Sequence, residues 1–247
     1  MDVLSGQELA GGIDLHETYE QMVDRETAPH SPANSLRALV LNASLKPGPE
    51  TSNTGELAAQ VVEEMKKHAP GMRHDAVRLA DYEIPVGVKA NMGKGDDWPE
   101  ISKLLLKADI VLFATPIWWG DRSSLMQRVI ERMDDFDEQY LKSGKNLIYN
   151  KVAGVVITGS EDGAMSTFSH LAGVLTWLGF TLPPESGAYW VGEVGRASPQ
   201  DAQKRRRNKS TKKMVHYMAR NLVKMAQTLK SHPLPAKAEE KHGASTR

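Results

Sequence analysis

Leu36-Arg-Ala-Leu-Val-Leu41, running straight into Asn42-Ala-Ser-Leu-Lys-Pro-Gly-Pro-Glu-Thr-Ser-Asn-Thr54, is the stretch on which the fold turns. Its first part is almost continuously apolar, the pattern of a strand buried on both faces. Its second part is rich in turn formers and hydroxyls. Beyond it Leu57, Val61, Val62 and Met65 recur at helical spacing, with Asn53 or Thr54 as the expected cap and Pro70-Gly71 as the stop. Strand, turn and helix in this order make the opening unit of a parallel sheet.

The unit recurs along the chain. A shorter strand is expected at Ala76-Val-Arg-Leu79, then a long Pro- and Gly-bearing connection over 81–99. A connection of that length is more often functional or mobile than idle. A helix from Glu100 to Lys107 leads to the apolar run Ile110-Val-Leu-Phe-Ala114, and a helix from Ser123 to Met133 follows. Val152-Ala-Gly-Val-Val-Ile157 is the fourth strand. A helix from Ser166 to Leu178 follows it and closes on Gly179. Phe180-Thr-Leu182 opens the last strand region, which continues weakly through Ala188-Tyr-Trp-Val191. Strands alternating with helices predict an α/β fold, an open, doubly wound, five-stranded parallel sheet covered on both faces.

A last helix is expected from Thr211 to Lys230, capped by Ser210 or Thr211. Its apolar stripe runs through Val215, Met218, Ala219, Leu222, Val223, Ala226 and Leu229. The basic run before it, Lys204 to Arg207 with Lys209, Lys212 and Lys213, reads as a solvated surface or, more sharply, as an anion contact. Residues 35–231 thus form one domain. Residues 1–34 are a polar extension, flexible or an arm for a second subunit, and 232–247 a disordered tail.

Composition narrows the chemistry. Lys plus Arg and Asp plus Glu number 31 each in the 247 residues, so no global field favours nucleic acid or an anionic membrane. There are no cysteines, which excludes disulfides, thiolate metal sites and cysteine nucleophiles. No apolar run approaches the roughly 20 residues of a membrane span, and the acidic N-terminal stretch lacks a signal pattern, so a cytoplasmic protein is expected. The eight histidines show no paired metal-ligand spacing, and no metal is expected. His170 alone stands close to a strand end, one turn into its helix.

In open parallel sheets ligands bind beyond the carboxyl ends of the strands. Three loops leave such ends. The first offers Ser44, Lys46, Ser52, Asn53 and Thr54 at a helix N-terminus, where free amides and the helix dipole favour an anion. It equally suits an ordinary capped turn. Neither a Walker loop nor a Gly-x-Gly-x-x-Gly follows the first strand. The second loop, Thr115-Pro-Ile-Trp-Trp-Gly120, sets Trp118 and Trp119 side by side. They would cover a planar ligand, or plug the core or a subunit interface. The third, Thr158-Gly-Ser-Glu-Asp-Gly163, brings backbone and carboxylates close to whatever binds, or is simply a tight turn.

Taken together, these loops resemble those of the flavodoxin-like NAD(P)H-dependent flavin reductases and multimeric flavodoxins, over Leu36 to Val191 and again over the last helix. The resemblance implies strand order 2-1-3-4-5 with FMN at the switch point. It implies that Ser44, Lys46, Ser52, Asn53 and Thr54 hold the FMN phosphate. Thr115, Pro116, Ile117, Trp118, Trp119 and Gly120 would border the isoalloxazine, and Thr158, Gly159, Ser160, Glu161 and Gly163 would lie by its pyrimidine end. The first loop is longer than the family's usual one by Pro47-Gly48-Pro49-Glu50. The implied activity is transfer of hydride from NADH or NADPH to FMN and onward to a small acceptor such as a quinone or free flavin, in a homodimer or homotetramer. The flavin carries the chemistry, so no side chain is assigned as catalytic. Two alternatives are a flavodoxin-type electron carrier, which zero net charge disfavours, and a relative that has lost flavin. A phosphoryl-accepting receiver domain needs acidic residues at the ends of strands one and three, and the chain has none there.

Overall fold

The computed structural model describes residues 35–192 and 201–235. The expected extension at 1–34 and the tail beyond 235 lie outside the described residues. Strand β1 (Arg37–Asn42) is followed by helix α1 (Asn53–His68), β2 (Arg73–Arg78), a short 3-10 turn (Leu79–Asp81), α2 (Trp98–Lys107) and β3 (Ile110–Trp118). Then come the two-residue β4 (Asp121–Arg122), α3 (Ser124–Arg132), α4 (Asp134–Ser143), β5 (Val152–Gly159), α5 (Ala164–Leu178), β6 (Gly187–Val191), α6 (Asp201–Arg207) and α7 (Lys209–Ser231). The sheet order is β2-β1-β3-β5-β6, all parallel, with β4 folded back antiparallel on the end of β3. Without that short hairpin strand this is the expected 2-1-3-4-5 order.

Neighbouring residues of a strand point to opposite faces, and the core divides accordingly. Leu39, Leu41, Val111 and Phe113 pack with α2, α3 and α5 on one face. Ala38, Val40, Ile110 and Leu112 pack with α1 and α7 on the other. On this second face Gly154 lets α7 close down on the sheet centre. A Cβ there would lie 2.6 Å from Met218 Cε and 2.8 Å from Leu222 Cδ1.

The structure departs from the sequence reading where polarity hides an element. β2 begins at Arg73 because it is an edge strand whose side chains are mostly half-exposed. Helix α4 carries only Asp135 and Phe136 buried, so it has no apolar stripe to read. Phe180 to Leu182 contributes a single bridge, Thr181 to Val152. Pro183-Pro184 cannot continue a ladder, so the edge strand forms only at Gly187. Ser52, not Asn53 or Thr54, caps α1, accepting from the Gly55 amide at 3.0 Å. Asn208, not Ser210 or Thr211, caps α7, accepting from the Thr211 amide at 2.9 Å.

The long connection after β2 is clamped. Arg132, at the end of α3, has no solvent-exposed side-chain surface, and neither does its partner Asp96. Their two hydrogen bonds are 2.6 and 3.0 Å long. The same guanidinium donates to the carbonyls of Pro85, Lys89 and Ala90, and lies 5.7 Å from the Trp98 ring centroid. Burial alone would raise the Asp96 carboxyl. Hydrogen bonds from Arg132 and from the Met92 and Trp98 amides outweigh it and hold the group below the usual range. Asp96→Asn keeps the shape and strands a buried guanidinium, so we expect a loss of about 3–5 kcal/mol in urea unfolding near neutral pH. Because the folded carboxyl is depressed, its contribution is complete above the unfolded value of 3.8. It is lost as pH falls through the lower folded value. The gap between wild type and Asp96→Asn should therefore close in acid.

Candidate functional site

Because β1, β3 and β5 run parallel, the three loops singled out in the sequence emerge at one sheet edge. They enclose a hollow of about 450 Å³, within the range of small-ligand and cofactor sites. Its walls are Ser44, Leu45 and Lys46 from the first loop, Asn53 and Thr54 from the start of α1, and Pro116, Ile117, Trp118 and Trp119 from the second loop. Thr158, Gly159, Ser160 and Glu161 from the third and Trp190 of β6 complete it.

Each loop is fixed by hydrogen bonds that use some of its polar groups and leave others. In the first, Asn42 receives the Ser44 amide at 3.1 Å and gives its own N–H to Ser52 Oγ at 3.3 Å. Ser52 is thereby committed to Asn42 and to the cap. It lines a smaller hollow between α1 and β2 instead of the main one. The Gly48 amide donates to Asp81 and the Arg78 guanidinium to the Glu50 carbonyl, so the inserted segment is tied to the end of β2. Thr54 Oγ1 stands 2.7 Å from Thr158 Oγ1, joining the first loop to the third.

The second loop turns on Thr115. Its hydroxyl accepts the Ser123 amide at 3.0 Å, and Ser123 Oγ donates to the Ala43 carbonyl at 2.7 Å while capping α3. Thr115 is thus a buried scaffold residue and does not line the hollow. Trp119 adopts φ 51, an uncommon conformation for a bulky residue. It is 92% exposed and Trp118 51%. Gly120 and Gly163 also stand outside the wall, packed against one another. A Cβ on Gly163 would lie 2.7 Å from the Gly120 carbonyl oxygen, and Gly163 has φ 126. The Gly120 amide donates to Glu161, and Ser166 Oγ donates to the Gly120 carbonyl. His170 shares a hydrogen bond of 3.0 Å with Asp121, just behind this contact. Partial burial would raise the Asp121 carboxyl, but the Arg122 amide and His170 hold it below its ordinary value.

Three contributors escaped the sequence reading. Leu45 and Trp190 line the hollow. Arg205, from the middle of the basic run, is wholly buried; it lies 5.4 Å from the Trp190 ring centroid and reaches Asn53 Oδ1 at 3.2 Å and the Glu56 carboxylate. The run is therefore a helix with one inward arginine. No local pattern marks it, because the acceptors it reaches, Asn53 and Glu56, lie 152 and 149 residues away.

The donor chemistry fits a phosphorylated planar ligand. Amides of the first turn of α1, with Thr54 and Ser44 beside them, suit a phosphate monoester. Across the hollow, Ile117 and Trp118 offer an apolar flank to a ring. A doubly wound parallel sheet with such a crevice at the β1/β3 switch point is a flavodoxin-like flavin-binding architecture. Residues 36–193 match the family described as NADPH-dependent FMN reductase, and the chain belongs to that family.

Among relatives, the 8-demethyl-8-aminoriboflavin-5'-phosphate synthase of Streptomyces davaonensis is 30% identical over 81% of this chain and 80% of its own length. The chain is 34% identical, over 84% of its length, to part of the divalent metal cation transporter MntH of Mycobacterium bovis, and spans 31% of that relative. Among the described residues no helix is long and apolar enough to cross a membrane. A crystal structure of RosB, holding the intermediate 8-demethyl-8-formylriboflavin-5'-phosphate, superposes with a TM-score of 0.70 at 29% identity, over 81% of this chain and 82% of that one. The apo NADH:FMN oxidoreductase EMOB shares the fold, with a TM-score of 0.60 at 14% identity, over 82% and 94% of the chains.

The contact of the two glycines sets a structural expectation. Gly163→Ala places a methyl against the Gly120 carbonyl at a positive φ, and should cost about 1–3 kcal/mol in chemical denaturation. Gly173→Ala, in the middle of α5 with open space around it, should by contrast stabilise the fold by about 0.5–1 kcal/mol.

Proposed function

We propose that this protein works in the cytoplasm as an NAD(P)H-dependent flavin oxidoreductase, holding FMN in the hollow and passing electrons to a small acceptor such as a quinone or free flavin. The observation that carries this reading is the pairing, across one hollow, of the α1 amino terminus with the half-exposed Trp118. Bound FMN would supply hydride acceptance and electron release. The chain's own part is to bind and orient. Asn53 and Thr54 amides, the Thr54 and Ser44 hydroxyls and the Lys46 ammonium would hold the phosphate. Ile117 and Trp118 would flank the ring and exclude water from one side. The backbone at Gly159 and Ser160, with Glu161, would meet its polar edge. Arg205 donates to Asn53 Oδ1 and so fixes the orientation of that side chain at the wall of the hollow.

The aminoriboflavin phosphate synthase and the RosB complex support a second reading, in which a riboflavin phosphate is the substrate and is itself altered. Oligomerisation belongs to the proposal too. Trp119, Trp177 and Met165 are strongly exposed for apolar side chains, Trp177 at 89%. Met165 and Trp177 belong to α5, whose first turn is bonded to the Gly120 loop, and a second copy would cover them.

The purified protein should bind FMN, and NADPH or NADH should bleach the flavin, with re-oxidation on adding a quinone. Thr54→Val should raise the FMN Kd at least tenfold, the loss of one hydrogen bond to a charged group being about 1.5–3 kcal/mol. Bound flavin inert to both nicotinamides defeats the reductase reading, and recovery of a flavin of altered mass establishes the second one. Light scattering should give a dimer or tetramer, and Trp177→Ser should shift it toward monomer. A monomeric wild type ends the oligomer proposal.

A further inference from the structure

At the far end of α1 from the hollow, a second group of side chains meets. Glu64 and His68 are four residues apart on α1, so they stand on one face of the helix. His216 approaches them from α7. One donor atom from each of the three lies within 4.8 Å of those of the other two. Glu64 Oε1 is 2.9 Å from His216 Nδ1 and 3.9 Å from His68 Nε2. The chain spacing conceals this group, since α7 is 152 residues from Glu64.

Two features set it apart from an ordinary surface ion pair. His68 Nε2 is buried and has no hydrogen-bond partner, an expensive state for an imidazole nitrogen unless something fills the gap. The Glu64 carboxylate lies where two elements meet, accepting from Lys67 at 2.5 Å on its own helix and sharing a hydrogen bond of 2.9 Å with His216 on α7. Its competing cations are easily moved. Lys67 is largely exposed, and Lys213 and Arg220 are drawn to the face of Tyr217, at 5.7 and 5.1 Å from its centroid.

We propose that Glu64, His68 and His216 form a zinc site that pins α7 to α1. Two imidazoles and one carboxylate are a borderline donor set suited to Zn(II), and supply too few oxygens for calcium. Zinc bonds of about 2.0–2.2 Å place tetrahedral ligands roughly 3.3–3.5 Å apart, and the 2.9 and 3.9 Å gaps seen here straddle that spacing. The remaining gap, within 4.8 Å, would close by rotation of the His68 and His216 side chains. The fourth position is left to water. The ion would sit about 15 Å along α1 from Thr54, too far to touch a ligand in the hollow. Its effect is therefore on the anchoring of the C-terminal helix, through preferential binding to the folded state.

The test uses the untagged full chain, stripped with a chelator and titrated with zinc chloride by calorimetry, with cobalt(II) as the spectroscopic probe. We expect one zinc per chain, a rise in melting temperature, and the visible bands of tetrahedral cobalt. His216→Ala and Glu64→Gln should each weaken zinc binding at least about tenfold, while His74→Gln should not. Circular dichroism on each variant checks that it is folded. Absence of a one-equivalent event, or equal affinity in the wild type and both ligand variants, overturns the site. FMN titration of the same samples should be indifferent to the chelator, so the zinc site and the flavin reading stand or fall separately.

Discussion

Parallel pairing of β1, β3 and β5 is the constraint from which the site follows. Asn42 stands opposite Ala114, and Ala114 opposite Val156. Parallel strands cannot be joined by hairpins, so each connection crosses a face as a helix and returns to the opposite edge. β1, β3 and β5 therefore all end, and the helices that follow them begin, on the same side. Three polar loops remote in sequence are brought together there by backbone geometry alone. The apolar side chains of the strands are consumed by the two cores, which leaves only the loops free to meet a ligand.

Within those loops the polar groups divide into two sets. Asn42, Ser52, Thr115 and Ser123 are buried and bonded to each other or to backbone. Such groups cost free energy when left unpaired, and here they set the shape of the cradle. Ser44, Asn53, Thr54 and Ser160 face the hollow. The capped turn is present, with Ser52 as the cap, and Thr54 faces the hollow where the anion is proposed to bind, so the two readings that the residues left open do not compete for the same hydroxyl.

Two segments of the chain are braced from within. Arg132 and Asp96 tie down the connection after β2, so a segment whose length suggested mobility is held through its backbone carbonyls. Arg205 joins α6 to the start of α1 across Trp190. Both braces are buried guanidiniums that satisfy several acceptors at once, which the planar five-donor group does and an ammonium does not.

The order of strands and helices, the two-sided apolarity of the sheet and the three loops at its edge were legible in the chain itself. Periodicity is a local property, set by which faces of an element are buried, and residues such as Val40, Ile110 and Leu57 announce it. Elements with few buried side chains, α4 and β2 above all, were missed or misplaced because burial is what writes the pattern. The tertiary structure alone decided which hydroxyl caps and which faces the hollow, that Trp190 and Arg205 reach the same wall, and that Glu64 and His68 meet His216. Thr54 meets Thr158 and Glu64 meets His216 across more than 100 residues, and the energies of all these contacts depend on distance and direction in space, which no local spacing of residues encodes.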